Sequence, residues 1–192
     1  MTLLNWSSLL LFPARRRHGT LLLVALLVCC WPAAMAQGAL ERQVKAAYLF
    51  KFAGFVEWPD GSFARPDSPL VIGVSGADEL AGQLEQTVAG RSVNGHPLQV
   101  RRLKKGESPD GLHILFVGAQ DKNGQELLAA SHGQPVLTVA DDEQTYAMGS
   151  IIHFVVAEDR LRFEVALKPA GSARIKISAR MLSAAYKVQG PT

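Results

Sequence analysis

The side chains that could do chemistry are few and lie far apart along the chain. After residue 36 the histidines are His96, His113, His132 and His153. No two of them have the i, i+3 or i, i+4 spacing that places two metal ligands on one helix face. His113 and His153 stand among large apolar residues of predicted strands, which favours structural, hydrogen-bonded histidines. The pattern therefore predicts no metal site.

Neither a cysteine nor a serine nucleophile is indicated. Cys29 and Cys30 are the only cysteines, and both precede residue 37, so the rest of the chain offers no thiol for a disulfide, a zinc site or catalysis. Ser75 stands in a Gly-Val-Ser-Gly-Ala run, where Ala77 replaces the closing glycine of the G-x-S-x-G pattern. A strand-to-helix turn explains this run. We expect no enzyme activity and no cofactor, with a hydrolase as the weaker rival class.

Two charged runs are assigned to solvated surface. Asp141–Glu143 lacks the alternating ligands of a calcium loop. Arg101–Lys105 contains the only basic run after residue 36, and its alternative roles are contact with an anionic ligand or a membrane surface. Residues 37–192 carry 17 basic and 17 acidic side chains, so overall charge gives no basic footprint for nucleic acid.

The first 36 residues have the three parts of a secretory signal peptide. Arg15–Arg17 form the positive part, the apolar run Thr20–Trp31 follows, and Ala34–Ala36 supplies the cleavage site. The apolar run is shorter than the ~20 residues that a membrane span needs. We expect a cleaved leader of residues 1–36 and an exported domain of residues 37–192. An uncleaved anchor and a lipoprotein site at Cys30 are the alternatives.

The elements that would position these residues alternate along the chain. Hydrophobic periodicity predicts helices at 40–58, 79–89 and 125–131, and strands at 70–74, 98–103, 112–117 and 135–139. Residues 151–156 and 160–165 predict a hairpin, and residues 170–188 predict a long C-terminal helix. Alternating strands and helices predict a single α/β domain. The hairpin makes its sheet mixed.

The end of the chain holds one apolar pair that a single helix face does not explain. Ile175 and Ile177 are two residues apart, so one helix face cannot bury both equally. Either one of them presents apolar surface to a partner, or both are buried at the start of the helix. The sequence leaves both alternatives open.

Several stretches of the chain resemble the YfiR-like family of secreted bacterial proteins. They occur in family order and cover residues 42–188. The matching stretches are 44–59, 90–102, 113–116, 136–139, 149–154, 162–165 and 176–178.

The resemblance implies regulation rather than catalysis. It implies a compact αβα sandwich, a periplasmic location and a homodimer. The expected partner is the periplasmic sensor region of an inner-membrane diguanylate cyclase, which the protein would repress and so lower cyclic di-GMP signalling. An outer-membrane lipoprotein that sequesters the repressor is a further expected partner.

By position, the resemblance assigns the partner contact to the C-terminal hairpin-to-helix stretch. The assigned residues are Glu164, Pro169, Ala170, Ile175 and Ile177.

Departures from the family pattern fall in or beside this stretch. Ala166 replaces a usual Asn, Pro169 a usual Ala, Arg174 a usual Gly, and Ala179 a usual Ser. The fold is expected to carry over despite these changes, whereas the partner is less firmly implied.

The rival function is a periplasmic protein that binds a small molecule. Such a protein needs a concave, mostly apolar pocket with a few polar groups. Tyr48, Phe55, Trp58 and Arg101 are residues of the right types, but the sequence does not show that they converge. A pocket would favour this function, and an exposed apolar patch near Ile175 would favour the regulator.

Overall fold

The computed structural model describes residues 31–119 and 121–190. The predicted leader, apart from its last six residues, and the lipoprotein alternative at Cys30 lie outside the described residues. The fold belongs to the unit Leu40–Thr192. The helices of the described residues are α1 Trp31–Phe55, which belongs to this unit from Leu40 onward, α2 Asp78–Val88, α3 Gly124–Ser131, α4 Glu143–Ala147, α5 Leu167–Ser172 and α6 Ala179–Ala184. Among the described residues, none of these helices combines the length and the apolar character that crossing a membrane requires.

The described residues also form ten strands. They are β1 Val56–Glu57, β2 Leu70–Ser75, β3 Ser92–Val93, β4 His96–Leu103, β5 Ile114–Val117, β6 Leu137–Ala140, β7 Ile152–Ala157, β8 Arg160–Ala166, β9 Lys176–Ile177 and β10 Lys187–Gln189.

Eight strands form one mixed sheet in the order β10-β8-β7-β6-β5-β2-β4-β3. β4, β2, β5, β6 and β7 are mutually parallel, and Ile72 in β2 is paired with Val100 on one side and Ile114 on the other. β8 runs antiparallel to β7, β10 runs parallel to β8, and β3 runs antiparallel to β4. The prediction of a mixed sheet with a β7–β8 hairpin is confirmed.

Helices cover both faces of this sheet. Successive side chains of each buried strand point to opposite faces, so one strand contributes to two hydrophobic clusters. Ile114 and Phe116 of β5 belong to the larger core, to which α1 and α2 contribute. Leu115 and Val117 belong to a separate cluster with Leu127 of α3. The fold is therefore an αβα sandwich, as the resemblance implies.

An aromatic cluster fixes α1 on the sheet. The Phe52 ring lies 5.1 Å from the Phe163 ring and 6.0 Å from the Phe154 ring, and Tyr48 stacks on Phe52 at 5.7 Å. Edge and offset contacts at these distances add to the gain from burying the rings. The helix predicted at 40–58 ends earlier, at Phe55, because the next two residues are extended in β1.

The predicted long helix at residues 170–188 is wrong. The stretch holds α5, β9, α6 and β10 instead. α5 ends because Arg174 has a left-handed backbone with φ of 56°, and the Ile175 N–H bonds back to the Ala170 carbonyl at 3.0 Å, a helix-ending motif. The Ser178 hydroxyl then accepts from the Met181 N–H at 3.3 Å and starts α6.

Candidate functional site

The residues assigned by the resemblance lie in residues 164–177, called the contact segment below. Phe163 and Val165 face the larger core, so Glu164 between them faces the opposite side of the sheet, where it is paired with His153 of β7. The other assigned positions are Pro169 and Ala170 in α5, Ile175 in the turn after α5, and Ile177 in β9.

Burial separates these residues into two groups. Ala170 is 3% exposed and Ile175 is 5% exposed, and both belong to the larger core. Glu164, Pro169 and Ile177 are half-buried. Because the Ile175 side chain is itself buried, it shapes the segment from inside.

The contact segment is tied to the end of α1. In the two-stranded sheet β1–β9, Val56 is paired with Ile177 and Glu57 with Lys176, in antiparallel register. The Ser178 N–H also donates to the Phe55 carbonyl at 2.9 Å. The first and the last stretches of the resemblance therefore meet in space.

Two cavities border Pro169 from different sides. One, of about 540 Å³, lies between α3 and α5 and includes Leu128, Ile151, Thr138 and Ala173 in its lining. The other, of about 360 Å³, has Tyr146, Ala166, Lys168 and Gln189 in its lining. Both fall in the size range of small-molecule sites.

A polar cluster built on the buried Tyr146 and His153 side chains lies beside Glu164. The Tyr146 ring stacks on the His153 ring with centroids 4.9 Å apart, and His153 Nδ1 is 3.9 Å from a Glu143 carboxylate oxygen. Burial, together with the nearby carboxylates of Glu164 and Glu143, raises the pKa of Tyr146 to about 12. The phenol therefore stays neutral, and the negative charge on this face belongs to the glutamates.

Sequence reasoning missed Tyr146 and α4, which carries it. The expectation of a solvated loop at Asp141–Glu143 is wrong in part. The Glu143 side chain is exposed, but the Asp142 carboxylate accepts from the Thr145 N–H at 3.0 Å and caps α4. The Asp-x-x-Thr spacing at 142–145 was the available signal for this helix start.

The Asp141 carboxylate forms an ion pair with a lysine side chain of α1. Lys45 Nζ lies 2.5 Å from Asp141 Oδ1 and 2.6 Å from a Glu41 oxygen. Burial alone would lower the pKa of Lys45, but bonds to the two carboxylates outweigh it and raise that pKa. Burial raises the pKa of Asp141, and its one lysine offsets this only in part.

His113 has the structural role that its apolar neighbours predict. Its Nδ1 accepts from the Val71 N–H at 3.2 Å, and its Nε2 lies 3.1 Å from the Ser62 carbonyl. The Phe63 ring stacks on it at 4.2 Å. Burial lowers the pKa of His113, which matches a neutral ring that accepts through Nδ1 and donates through Nε2.

The aromatic residues considered for a ligand pocket do not gather around Arg101. Arg101 donates to the carbonyls of Ser108 and Asp110. Tyr48 belongs to the Phe52 cluster, whereas Trp58 packs edge-on against His113 at 5.8 Å. Of the described residues, no three His, Asp or Glu side chains converge where they could hold a metal ion, and Ser75 is 2% exposed at the end of β2.

A family model described as YfiR/HmsC-like matches residues 42–186. No curated protein matches the chain.

Proposed function

Because the chain belongs to the YfiR/HmsC-like family, we propose that it binds and represses the periplasmic sensor region of an inner-membrane diguanylate cyclase. The family match carries this proposal. Membership supports a periplasmic regulator of cyclic di-GMP signalling, and a non-catalytic one. Repression would follow from preferential binding to the inactive conformation of the cyclase, since a ligand shifts an equilibrium only by its difference in affinity for the two states.

The proposed contact surface is the exposed part of the contact segment. Glu164, Pro169 and Ile177 are half-buried and keep surface for a partner. Ala170 and Ile175 hold that surface in place from the core. Glu164 and Ile177 lie on different faces of the fold, so a partner that touches both must wrap around the end of β8 and α5.

Export, processing and assembly belong to the same proposal. Residues 1–36 would be removed after Ala36, so the periplasmic domain 37–192 would keep α1 from Gln37 onward. Sequencing the amino terminus of protein from the periplasm tests this cleavage, and Gln37 is the expected first residue. A homodimer and sequestration by an outer-membrane lipoprotein complete the proposed regulatory cycle.

The second candidate function is small-molecule binding, and the two cavities favour it. Pro169 borders both of them, so a ligand in either one would touch the contact segment directly. The two functions are compatible if such a ligand tunes partner binding.

The test is intracellular cyclic di-GMP in a strain that lacks this protein and expresses the candidate cyclase. The concentration should rise on deletion and fall again when the exported form is restored, but not when a form without residues 1–36 is restored. An unchanged concentration on deletion would contradict repression and leave ligand binding as the stronger candidate.

A further inference from the structure

The two cavities beside Pro169 differ in the charge of their linings. Among the described residues that line the cavity of about 540 Å³ between α3 and α5, none is Asp, Glu, Lys or Arg. The lining of the other cavity contains Glu143 and Lys168. Gly149 and Pro169 border both cavities, but the difference in charge means that the two would select different ligands.

The inner wall of the cavity between α3 and α5 is apolar. Leu128 of α3, Ile151 and Ala173 are all buried, and all three belong to this lining. Met148 and Ser172 belong to the same lining but are exposed, so they mark its mouth. A ligand that enters past them would bury its apolar surface against the inner wall.

Two buried hydroxyl groups add polar contacts to this apolar lining. Thr138 Oγ1 accepts from the Ile151 N–H at 2.9 Å, and Ser131 Oγ donates to the Leu127 carbonyl at 2.7 Å. A hydroxyl group can donate one hydrogen and accept at two lone pairs. The Thr138 hydroxyl can therefore still donate to a ligand, and the Ser131 hydroxyl can still accept from one.

The absence of charge from this lining disfavours ionic ligands. An ion in the cavity would lose water without gaining a buried partner of opposite charge. His132, the one titratable residue among the described lining residues, is exposed. A mostly apolar molecule with one or two polar groups would match both the walls and the hydroxyls.

We propose that the cavity between α3 and α5 binds a small uncharged molecule that is mostly apolar and carries a hydroxyl or carbonyl group. This inference rests on the second candidate function, small-molecule binding, and it names the cavity and the class of ligand. Pro169 and Ser172 of α5 belong to the lining, so a bound molecule would touch the contact segment.

The ends of α5 and α6 offer a matched pair of variants. Ser172→Trp places a large ring at the mouth of the cavity, whereas Ser183→Trp makes the same change in α6, outside the lining. Both serines are exposed, and each hydroxyl donates to the carbonyl four residues earlier, at 3.3 Å for Ser172 and 2.8 Å for Ser183. Similar melting temperatures of the two variants establish that both fold.

The probe is 1-naphthol, compared with naphthalene-1-sulfonate, which has the same ring system and a permanent negative charge. Calorimetry on the exported protein should give a Kd for 1-naphthol below about 1 mM, with the sulfonate binding at least tenfold more weakly. Ser172→Trp should weaken 1-naphthol binding at least tenfold, and Ser183→Trp less than twofold. No binding of 1-naphthol, equal binding of the sulfonate, or equal affinity of the two variants would overturn the proposal.

A second pair of variants decides which of the two cavities is occupied. Met148→Glu adds a carboxylate to the mouth of the proposed site, and Gln189→Glu adds one to the lining of the other cavity. Met148→Glu should weaken 1-naphthol binding at least threefold, and Gln189→Glu less than twofold. The reverse order would place the probe in the other cavity and overturn the assignment.

Binding to the purified protein requires no cyclase, so this proposal and the proposed function can fail separately. If deletion raises cyclic di-GMP but 1-naphthol does not bind, the cavity assignment is wrong while repression stands. If 1-naphthol binds as expected but deletion leaves cyclic di-GMP unchanged, repression is wrong while the cavity assignment stands. If only the sulfonate binds, small-molecule binding stands and the proposed class of ligand is wrong.

Discussion

Lys45 Nζ and Asp141 Oδ1 lie 2.5 Å apart and join α1 to the carboxyl end of β6. The lysine side chain is 11% exposed and the aspartate side chain 18%. A buried pair of this kind stabilises a fold less than its Coulomb energy suggests, because both charges lose water. Removing one member, however, leaves the other charge buried and unpaired.

Lys45→Met should therefore lower the free energy of unfolding by about 3 kcal/mol. Urea denaturation measures the change. Lys51→Met is the matched control, because Lys51 is exposed on the same helix, and it should shift stability by less than about 0.5 kcal/mol. Equal stability of the two variants would show that the pair contributes little.

Stability should fall as the pH drops below about 6.5, and His113 should account for part of that slope. The unfolded chain takes up a proton near the ordinary histidine pKa of 6.5, whereas the folded pKa of His113 is lower. Over that interval the unfolded state binds more protons, so stability rises with pH there. Urea midpoints between pH 7.5 and 5 measure the slope.

His113→Asn should flatten this pH dependence even if it lowers stability at pH 7.5. His132→Asn serves as control, because His132 is exposed and the slope should stay as in wild type. An unaltered slope in His113→Asn would assign the pH dependence to other groups.

Arg174→Gly should stabilise the protein by about 1 kcal/mol, because a left-handed backbone strains a residue with a side chain. The φ of 56° at Arg174 is the source of this strain. Thermal unfolding measures the gain. The same change at Arg180, inside α6, should instead destabilise by up to about 1 kcal/mol. A loss at both positions would mean that the Arg174 side chain makes stabilising contacts that outweigh the strain.

Substitutions in the contact segment should affect either stability or repression, depending on how buried the residue is. Ile175→Asp places a charge in the larger core and should cost about 3 kcal/mol or more. Glu164→Lys should change stability by less than about 0.5 kcal/mol and yet abolish repression. Glu107→Lys, an equal charge change in an exposed loop, should keep both stability and repression. Full repression by folded Glu164→Lys would remove Glu164 from the contact.

The sequence sufficed for the central strands and the helices between them. Leu70–Val74 and Leu112–Val117 are short apolar runs bounded by turn residues. A local pattern of that kind is sufficient to predict a buried strand. The chain end from residue 170 could not be derived in the same way. The left-handed backbone of Arg174 cannot be predicted from composition. β9 exists only because β1, which lies far earlier in the chain, pairs with it.

The candidate site shows the same limit. The resemblance placed Glu164 by position, but its neighbours Tyr146 and His153 come together through the register of β7 with β8 and through the cap of α4. The sequence left open whether Ile175 and Ile177 are both buried. Only tertiary packing decides this, because burial of either depends on α1 and β1. Spacing within the segment does not contain that information.

If the chain is exported as proposed, the pairing of Val56 with Ile177 also sets an order of events during export. A chain that emerges from the translocation channel with its amino terminus first delivers β1 early and β9 near the end. Until β9 has left the channel, the contact segment therefore cannot be held in place by its pairing with β1. A stalled or prematurely terminated molecule would therefore lack the proposed contact surface, and under the proposed function only complete molecules would repress the partner.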